Sequence, residues 1–327
     1  MPCEHRHSSI PRSDLAVALP MARDKPRNTS ASIRQRLLNH STAIKTDPNL
    51  VLIWYGLERF LYRLSVSTHS ERFVLKGAML FRLWGDANFR STKDLDLEGF
   101  LQDEAEVVRE VFASICVQPV EDDGLVFDAS SVKVTEIRDT QEYGGFRVLL
   151  TARLGTAILR LQIDVGFGDA ITPAPVITEF PSILGQSLPR IRTYPRETVV
   201  AEKFEAMVQL GMTNSRMKDY YDLWFMSRHF EFEGSTLAAA VRATFERRGT
   251  LIPGRFPIGL TAEYAADLNH VRQWAAFTES LRIEATPDLG AVIDRISEFV
   301  LPPAIAAVSE QPFNQQWKPQ NRWQPVR

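Results

Sequence analysis

Two hydrophobic rhythms divide this chain, and they restrict its fold more than any other feature. Between Phe73 and Val165, apolar residues recur at every second position. They do so in Asp94-Leu95-Asp96-Leu97, Leu125–Phe127, Val132–Ile137, Phe146–Leu150 and Ile158–Val165, and the continuous run Phe73-Val74-Leu75 reads as a short buried strand before them. Alternation of that period sends successive side chains to opposite faces of a strand, so these runs read as one mixed or antiparallel sheet. From Glu197 onward the period becomes helical, in Glu197–Leu210, Ser215–Ser227, Ser235–Arg247, Ala262–Leu281 and Leu289–Val300. Helical patterns also precede the sheet (Ser32–Leu38, Ile53–Leu64) and interrupt it at Val107, Val108, Val111 and Ile115. The expected fold is α+β, with a mixed-sheet lobe followed by a helical C-terminal lobe.

The expected boundaries follow from the same pattern. Residues 1–30 are polar, rich in Pro, Ser, Arg and His, and read as a disordered N-terminal arm. The α/β lobe with its N-terminal helices takes 31–195, of which the Pro-rich connector Pro173–Pro195 ends the sheet. The helical lobe takes 196–303, where Pro302-Pro303 stops the last helix. Residues 304–327 contain Gln, Asn, Pro and Trp and read as a disordered tail.

Composition removes several functional classes. With 38 basic and 40 acidic residues the net charge is −2, so no whole-chain basic field marks a tight, non-specific nucleic-acid binder. Cys3 and Cys116 are isolated, as thiols in a reducing cytoplasm would be. No apolar run reaches the ~20 residues of a membrane span. The six histidines form no HExxH pattern, which argues against zinc chemistry.

The chemistry gathers around Lys76-Gly77-Ala78 and Arg90-Ser91-Thr92-Lys93-Asp94-Leu95-Asp96-Leu97. On a strand, Asp94 and Asp96 project from one face while Leu95 and Leu97 enter the core. Two adjacent carboxylates repel and raise each other's pKa unless a cation joins them. A hard divalent ion such as Mg²⁺, completed by substrate phosphates, resolves that conflict. A glycine at the preceding strand-to-helix turn lets backbone N–H groups approach an anion. Asp164, at the end of the alternating run 159–165, is the candidate third carboxylate for a two-metal phosphoryl transfer, with Asp169 behind it. Farther on, Lys203 is expected on the nucleotide phosphates, while Lys218, Asp219 and Asp222 form the far wall of the cleft. Arg59, Arg63 and Arg90 are candidate guides for an RNA backbone.

These residues carry a resemblance. Tyr55 and Leu57–Leu64, Phe73–Ala78, Arg90–Leu97, Ile163–Asp169, Tyr194–Glu197 with Ala201–Lys203, and Lys218–Leu223 occur in an order similar to that of the AbiEii/AbiGii nucleotidyltransferase toxins. The similarity spans roughly Ile33 to Arg228. It implies a DNA-polymerase-β-like fold, Mg²⁺, an NTP as nucleotide donor, the 3′ end of a tRNA as acceptor, and a neighbouring antitoxin. Residue by residue, it carries Asp94, Asp96, Lys203 and Asp222 over as catalytic, and Asp94, Asp96 and Asp164 as metal ligands. Lys76, Gly77, Ser91, Thr92, Lys218 and Asp219 carry over as nucleotide-binding. The chain departs at Ala78, where Ser or Gly is usual, so phosphate contacts there fall to backbone N–H groups, Ser91, Thr92 or a lysine. Two alternatives keep the fold: a protein-modifying nucleotidyltransferase or kinase, and a non-catalytic binding protein.

Overall fold

The computed structural model describes residues 28–85, 92–137, 144–281, 287–309 and 311–326. Most of the expected N-terminal arm, together with Arg90 and Ser91, lies outside them. Two helices come first, α1 (Thr29–Ala43) and α2 (Pro48–Val66), so Thr29 and Ser30 are already helical. Asp47 caps α2 through the Asn49 N–H, and Pro48 stands in its first turn, where its missing N–H costs nothing. There follow β1 (Phe73–Lys76), the short α3 (Leu80–Leu83), β2 (Asp94–Gly99), α4 (Ala105–Cys116), β3 (Leu125–Ile137), β4 (Gly145–Leu154) and β5 (Ala157–Phe167). Next come β6 (Val176–Glu179), β7 (Arg190–Thr193), α5 (Arg196–Leu210), α6 (Met217–His229), β8 (Phe232–Glu233), α7 (Gly234–Arg247), α8 (Ala262–Ala266) and α9 (Leu268–Leu281). The last elements are α10 (Leu289–Ser309), β9 (Gln315–Lys318) and β10 (Arg322–Pro325).

The expected α+β fold is present. Seven strands form one mixed sheet in the order β3-β4-β5-β2-β1-β7-β6. β2 runs parallel to β5 and antiparallel to β1. Leu95, Leu97, Ile163, Val165, Val148 and Leu150 are buried on one face, which α2 and α4 cover. Gly56 permits this packing, because a Cβ there would lie 3.0 Å from Leu161. The opposite face carries Asp94, Asp96 and Asp164.

Four expectations are corrected. The Pro-rich connector holds β6 and β7, and β7 extends the sheet beyond β1. With two apolar residues in β6 and one in β7, neither four-residue strand had enough alternation to be found. Pro302 and Pro303 lie inside α10 rather than ending it. Pro303, Ala304, Ala306 and Ala307 are buried, and that packing offsets the ~3 kcal/mol that an internal proline costs a helix. The tail is structured: β9 and β10 form a three-stranded sheet with β8, and Trp317 is fully buried.

Arg59 and Arg63 are not surface guides either. Both are buried against the Asp123 carboxylate, Arg59 Nε at 3.1 Å and Arg63 Nη1 at 2.6 Å. Arg59 also donates to the Ser187 carbonyl, and Tyr55 to that of Asp123. The charged letters on α2 thus anchor two loops to the sheet lobe.

Candidate active site

Strand register builds the site. Asp96 stands beside Asp164 on β5 and beside Lys76 on β1, while Arg147 on β4 stands beside Asp164. Paired residues share a face, so Arg147, Asp164, Asp96 and Lys76 form one row across four strands. Asp94 and Gln162 form the next row. The sequence brought Asp94, Asp96 and Asp164 to one face, and the register puts them together.

Gly77 is fitted against this row. It has φ +73°, and a Cβ on it would fall 1.9 Å from Asp96 Oδ2. The glycine at the turn therefore makes room for the carboxylate. Ala78, the departure noted above, is buried. Thr92 shapes the start of β2, its hydroxyl accepting from the Asp94 N–H at 3.3 Å. Trp54, which sequence reasoning missed, donates its indole N–H to the Thr92 carbonyl at 2.6 Å.

The carboxylates sit in a poised field. Burial and then Asp164 raise the Asp94 carboxyl above its ordinary range, while Arg147, Lys218 and Lys93 pull it back. Asp96 is also raised, first by burial; Lys76 and Lys218 oppose this, and Asp164 and Asp94 add to it. Asp164 itself is clasped by Arg147, whose Nε and Nη2 donate to its two oxygens at 2.9 and 2.8 Å. Arg147 leaves no signature in the sequence, because only the β4–β5 register reveals it.

Lys76 does not stand free for phosphate. Its ammonium pairs with Glu98 at 2.7 Å and Asp169 at 2.8 Å. Gly166 permits this, since a Cβ there would approach Lys76 Nζ to 2.7 Å. Glu98 is fully buried and also accepts from the Asp169 N–H. It was legible as the third acid of the alternation Asp94, Asp96, Glu98, and was missed. Asp169 meets Arg248 at 3.0 Å, and Arg248 meets Glu205 at 2.9 Å. This chain of charge ties the sheet to α5 and to the end of α7.

Lys203 is held by Asp219 at 2.5 Å and Asp222 at 2.9 Å. Asp222 on α6 thus pairs with Lys203 on α5. Lys218 is exposed, and its charge is felt at both Asp94 and Asp96. Through that charge α6 acts on the carboxylate row. Ser91 lies outside the described residues.

A face of aligned carboxylates ringed by cations, on a mixed sheet braced by helices, is a scaffold suited to phosphoryl and nucleotidyl transfer. The chain belongs to the AbiEii nucleotidyl transferase toxin family of type IV toxin–antitoxin systems, whose family model matches residues 59–305. Two solved structures are similar. One, from H. pylori, is described as a candidate nucleotidyltransferase, with 15% identity over 85% of this chain and 99% of that one, at a TM-score of 0.42. The other is JHP933 from Helicobacter pylori, with 16% identity over 84% and 95%, at a TM-score of 0.42. A search of curated proteins gives no match. No helix among the described residues is long and apolar enough to cross a membrane.

Proposed function

We propose that this chain is a Mg²⁺-dependent toxin that transfers a nucleotide from an NTP to the 3′ end of a tRNA in the cytoplasm, and that a cognate antitoxin restrains it. The observation that carries this reading is the packing of Gly77 against Asp96, within a row that register alone aligns with Asp164. A chain with no use for two crowded acids gains nothing from a glycine that makes room for one of them.

The donor set fits Mg²⁺. Among the described residues no three His, Cys, Asp or Glu side chains are gathered to hold a metal by themselves. Mg²⁺ takes one or two carboxylates and completes its shell with substrate phosphates and water, and Asp94 and Asp96 supply that pair. Asp164 would join them when Arg147 lets go of it. When bound, the ion would neutralise phosphate charge and make the attacking hydroxyl more acidic.

The protein's own groups do the rest. Backbone N–H groups of the Gly77 turn, Thr92 and Lys218 would orient the triphosphate. Lys203 is held between Asp219 and Asp222 as Lys76 is between Glu98 and Asp169, so it orders the α6 wall. Exposed Lys218 supplies positive charge where negative charge grows in the transition state. The 3′-hydroxyl then attacks the α-phosphorus, an O–P bond forms, the bond to pyrophosphate breaks, and the hydroxyl proton leaves with solvent.

The test is incubation with each labelled NTP, Mg²⁺ and a mixture of tRNA and cellular protein, for the parent chain and for Asp96→Asn. Label should enter tRNA 3′ ends, and the variant should lose at least ~100-fold of the rate, the scale seen when a transition-state charge partner is removed. Label found only in protein, or a variant as active as its parent, would overturn the reading.

A further inference from the structure

The carboxylate row is one edge of a larger open surface. On the β4–β5 ladder, Arg147 stands beside Asp164, Leu149 beside Gln162, Thr151 beside Arg160 and Arg153 beside Ile158. On the β3 side, Lys133 pairs with Leu149 and Val126 with Arg153. All of these share the face of Asp94 and Asp96, opposite the face that α2 and α4 cover. Arg153, Arg160 and Lys133 are exposed. So are Val126 at 68%, Ile158 at 57% and Leu149 at 43%, although Leu125, Phe127, Val148, Leu150 and Leu159 next to them on the other face are buried.

This arrangement is specific in its chemistry. Three unburied cations alternate with three apolar side chains on this face, with Asp128 beside Thr151 and Asp164 at the carboxylate edge. Scattered surface aliphatics need no explanation, but aliphatics interleaved with basic residues beside a carboxylate site suit a ligand with both flat apolar faces and regular negative charge. Single-stranded nucleic acid is such a ligand. From Asp164 to Arg160 is four residues along one strand, about 13 Å. That matches about four stacked nucleotides at ~3.4 Å each.

We infer that this open sheet face, from Leu149 out to Arg153 and Arg160, seats the single-stranded 3′ segment of the acceptor RNA, with its last hydroxyl at the Asp94–Asp96–Asp164 edge. The inference rests on the nucleotidyl-transfer reading only for the position of the terminal hydroxyl. The surface itself follows from register, exposure and charge. Arg153 and Arg160 meet phosphates, while Leu149, Ile158 and Val126 lie under bases.

The experiment measures fluorescence anisotropy of an end-labelled eight-nucleotide single-stranded RNA with the whole chain across a salt series. It compares the parent with Arg153→Gln/Arg160→Gln, with Arg153→Lys/Arg160→Lys, and with Arg272→Gln on exposed α9 as a charge control. Removing two phosphate contacts should lower the slope of log affinity against log salt by about 1.4, and weaken binding roughly 25-fold at 0.1 M salt. The lysine variant should restore most of the slope, and Arg272→Gln should leave it unchanged. Binding of a fluorescent NTP analogue and the circular dichroism melt should match the parent in all of them. A parent that does not bind the RNA, a glutamine variant with parental slope, or an equal loss in Arg272→Gln would each overturn the assignment. A parent that binds RNA on this face yet transfers no nucleotide to it would leave the surface standing and remove the acceptor reading, so the two fail separately.

Discussion

At the scale of single residues, the site depends on what is missing from position 77. An added Cβ at Gly77 would overlap the Asp96 carboxylate, and φ +73° disfavours any L side chain there. Gly77→Ala should therefore displace Asp96 while the body of the sheet survives. Strain of about 1–3 kcal/mol would lower the melting temperature by several degrees. A misplacement near 1 Å is enough to reduce catalysis by ~100-fold. The check is to measure the melt and the transfer rate on the same sample; a variant with parental rate would show that Asp96 needs no such fit. Gly77, Asp94 and Asp96 were readable from the sequence because each obeys a local rule of turn or alternation. Arg147 was not, because its only link to Asp164 is a neighbouring strand's register. Lys76 was half readable: the sequence put it beside the site, but only the fold shows Glu98 and Asp169 absorbing its charge.

Between elements, the connection to watch is the buried chain Lys76–Asp169–Arg248 with Glu202 on α5. Burial, followed by the charge of Asp169, pushes the Glu202 carboxyl up to about 7, against the pull of Lys76 and Arg248. Its Oε1 is enclosed without a hydrogen-bond partner. A carboxyl raised in the folded state binds its proton more tightly there than in the unfolded chain. Its contribution is thus fully present below pH ~4.5 and is lost as pH rises through about 7. Asp169 behaves oppositely. Burial alone would raise it, yet Lys76 and Arg248 hold it down at about 2, so its contribution fails only in strong acid. Between pH 5 and 8 only Glu202 of this pair changes charge. Glu202→Gln should accordingly gain stability over the parent as pH rises across that window. Because 19% of the Glu202 side chain stays open to water, the gain should be on the order of 1–2 kcal/mol. Denaturant midpoints at pH 5, 6.5 and 8 decide it, and parallel curves for parent and variant would refute the assignment. Nothing in the sequence distinguished this glutamate from a solvated helix charge, since its burial comes from β1, the turn after β5 and the end of α7 meeting at one point. The same limit hid β6 and β7: short edge strands have little period of their own, and the sheet recruits them.

For the molecule as a whole, the two rhythms foretold the α+β fold, and the C-terminus is where composition misled. A Gln- and Asn-rich tail reads as unfolded only if its aromatic residues find no partners, and here they find several. Trp317 is fully buried, donates its indole N–H to the Ser227 carbonyl at 2.8 Å, and packs on Phe299 at 4.9 Å. Trp323 donates to the Phe299 carbonyl at 3.0 Å. β9 pairs with β8 between α6 and α7, and the strand passes so close to Gly234 that a Cβ there would lie 2.6 Å from the Gln315 carbonyl. The tail thus fastens α6, α7 and α10 together, and α6 carries Lys218, Asp219 and Asp222. The family match stops at residue 305, before β9 and β10. A chain ended after Ser309 should therefore lose more than a decoration. Trp317→Ala alone should cost about 3–5 kcal/mol, the usual range for emptying a buried aromatic site. Ending the chain should cost at least as much, because Phe232 and Phe299 would then face water. Denaturant unfolding of the full chain, the Trp317→Ala variant and the chain ended at 309 would order the three. A shortened chain with the parental midpoint and parental transfer rate would show that the last strands only cover a helical core already stable without them. A midpoint that falls together with nucleotide transfer would place the tail among the supports of the α6 wall.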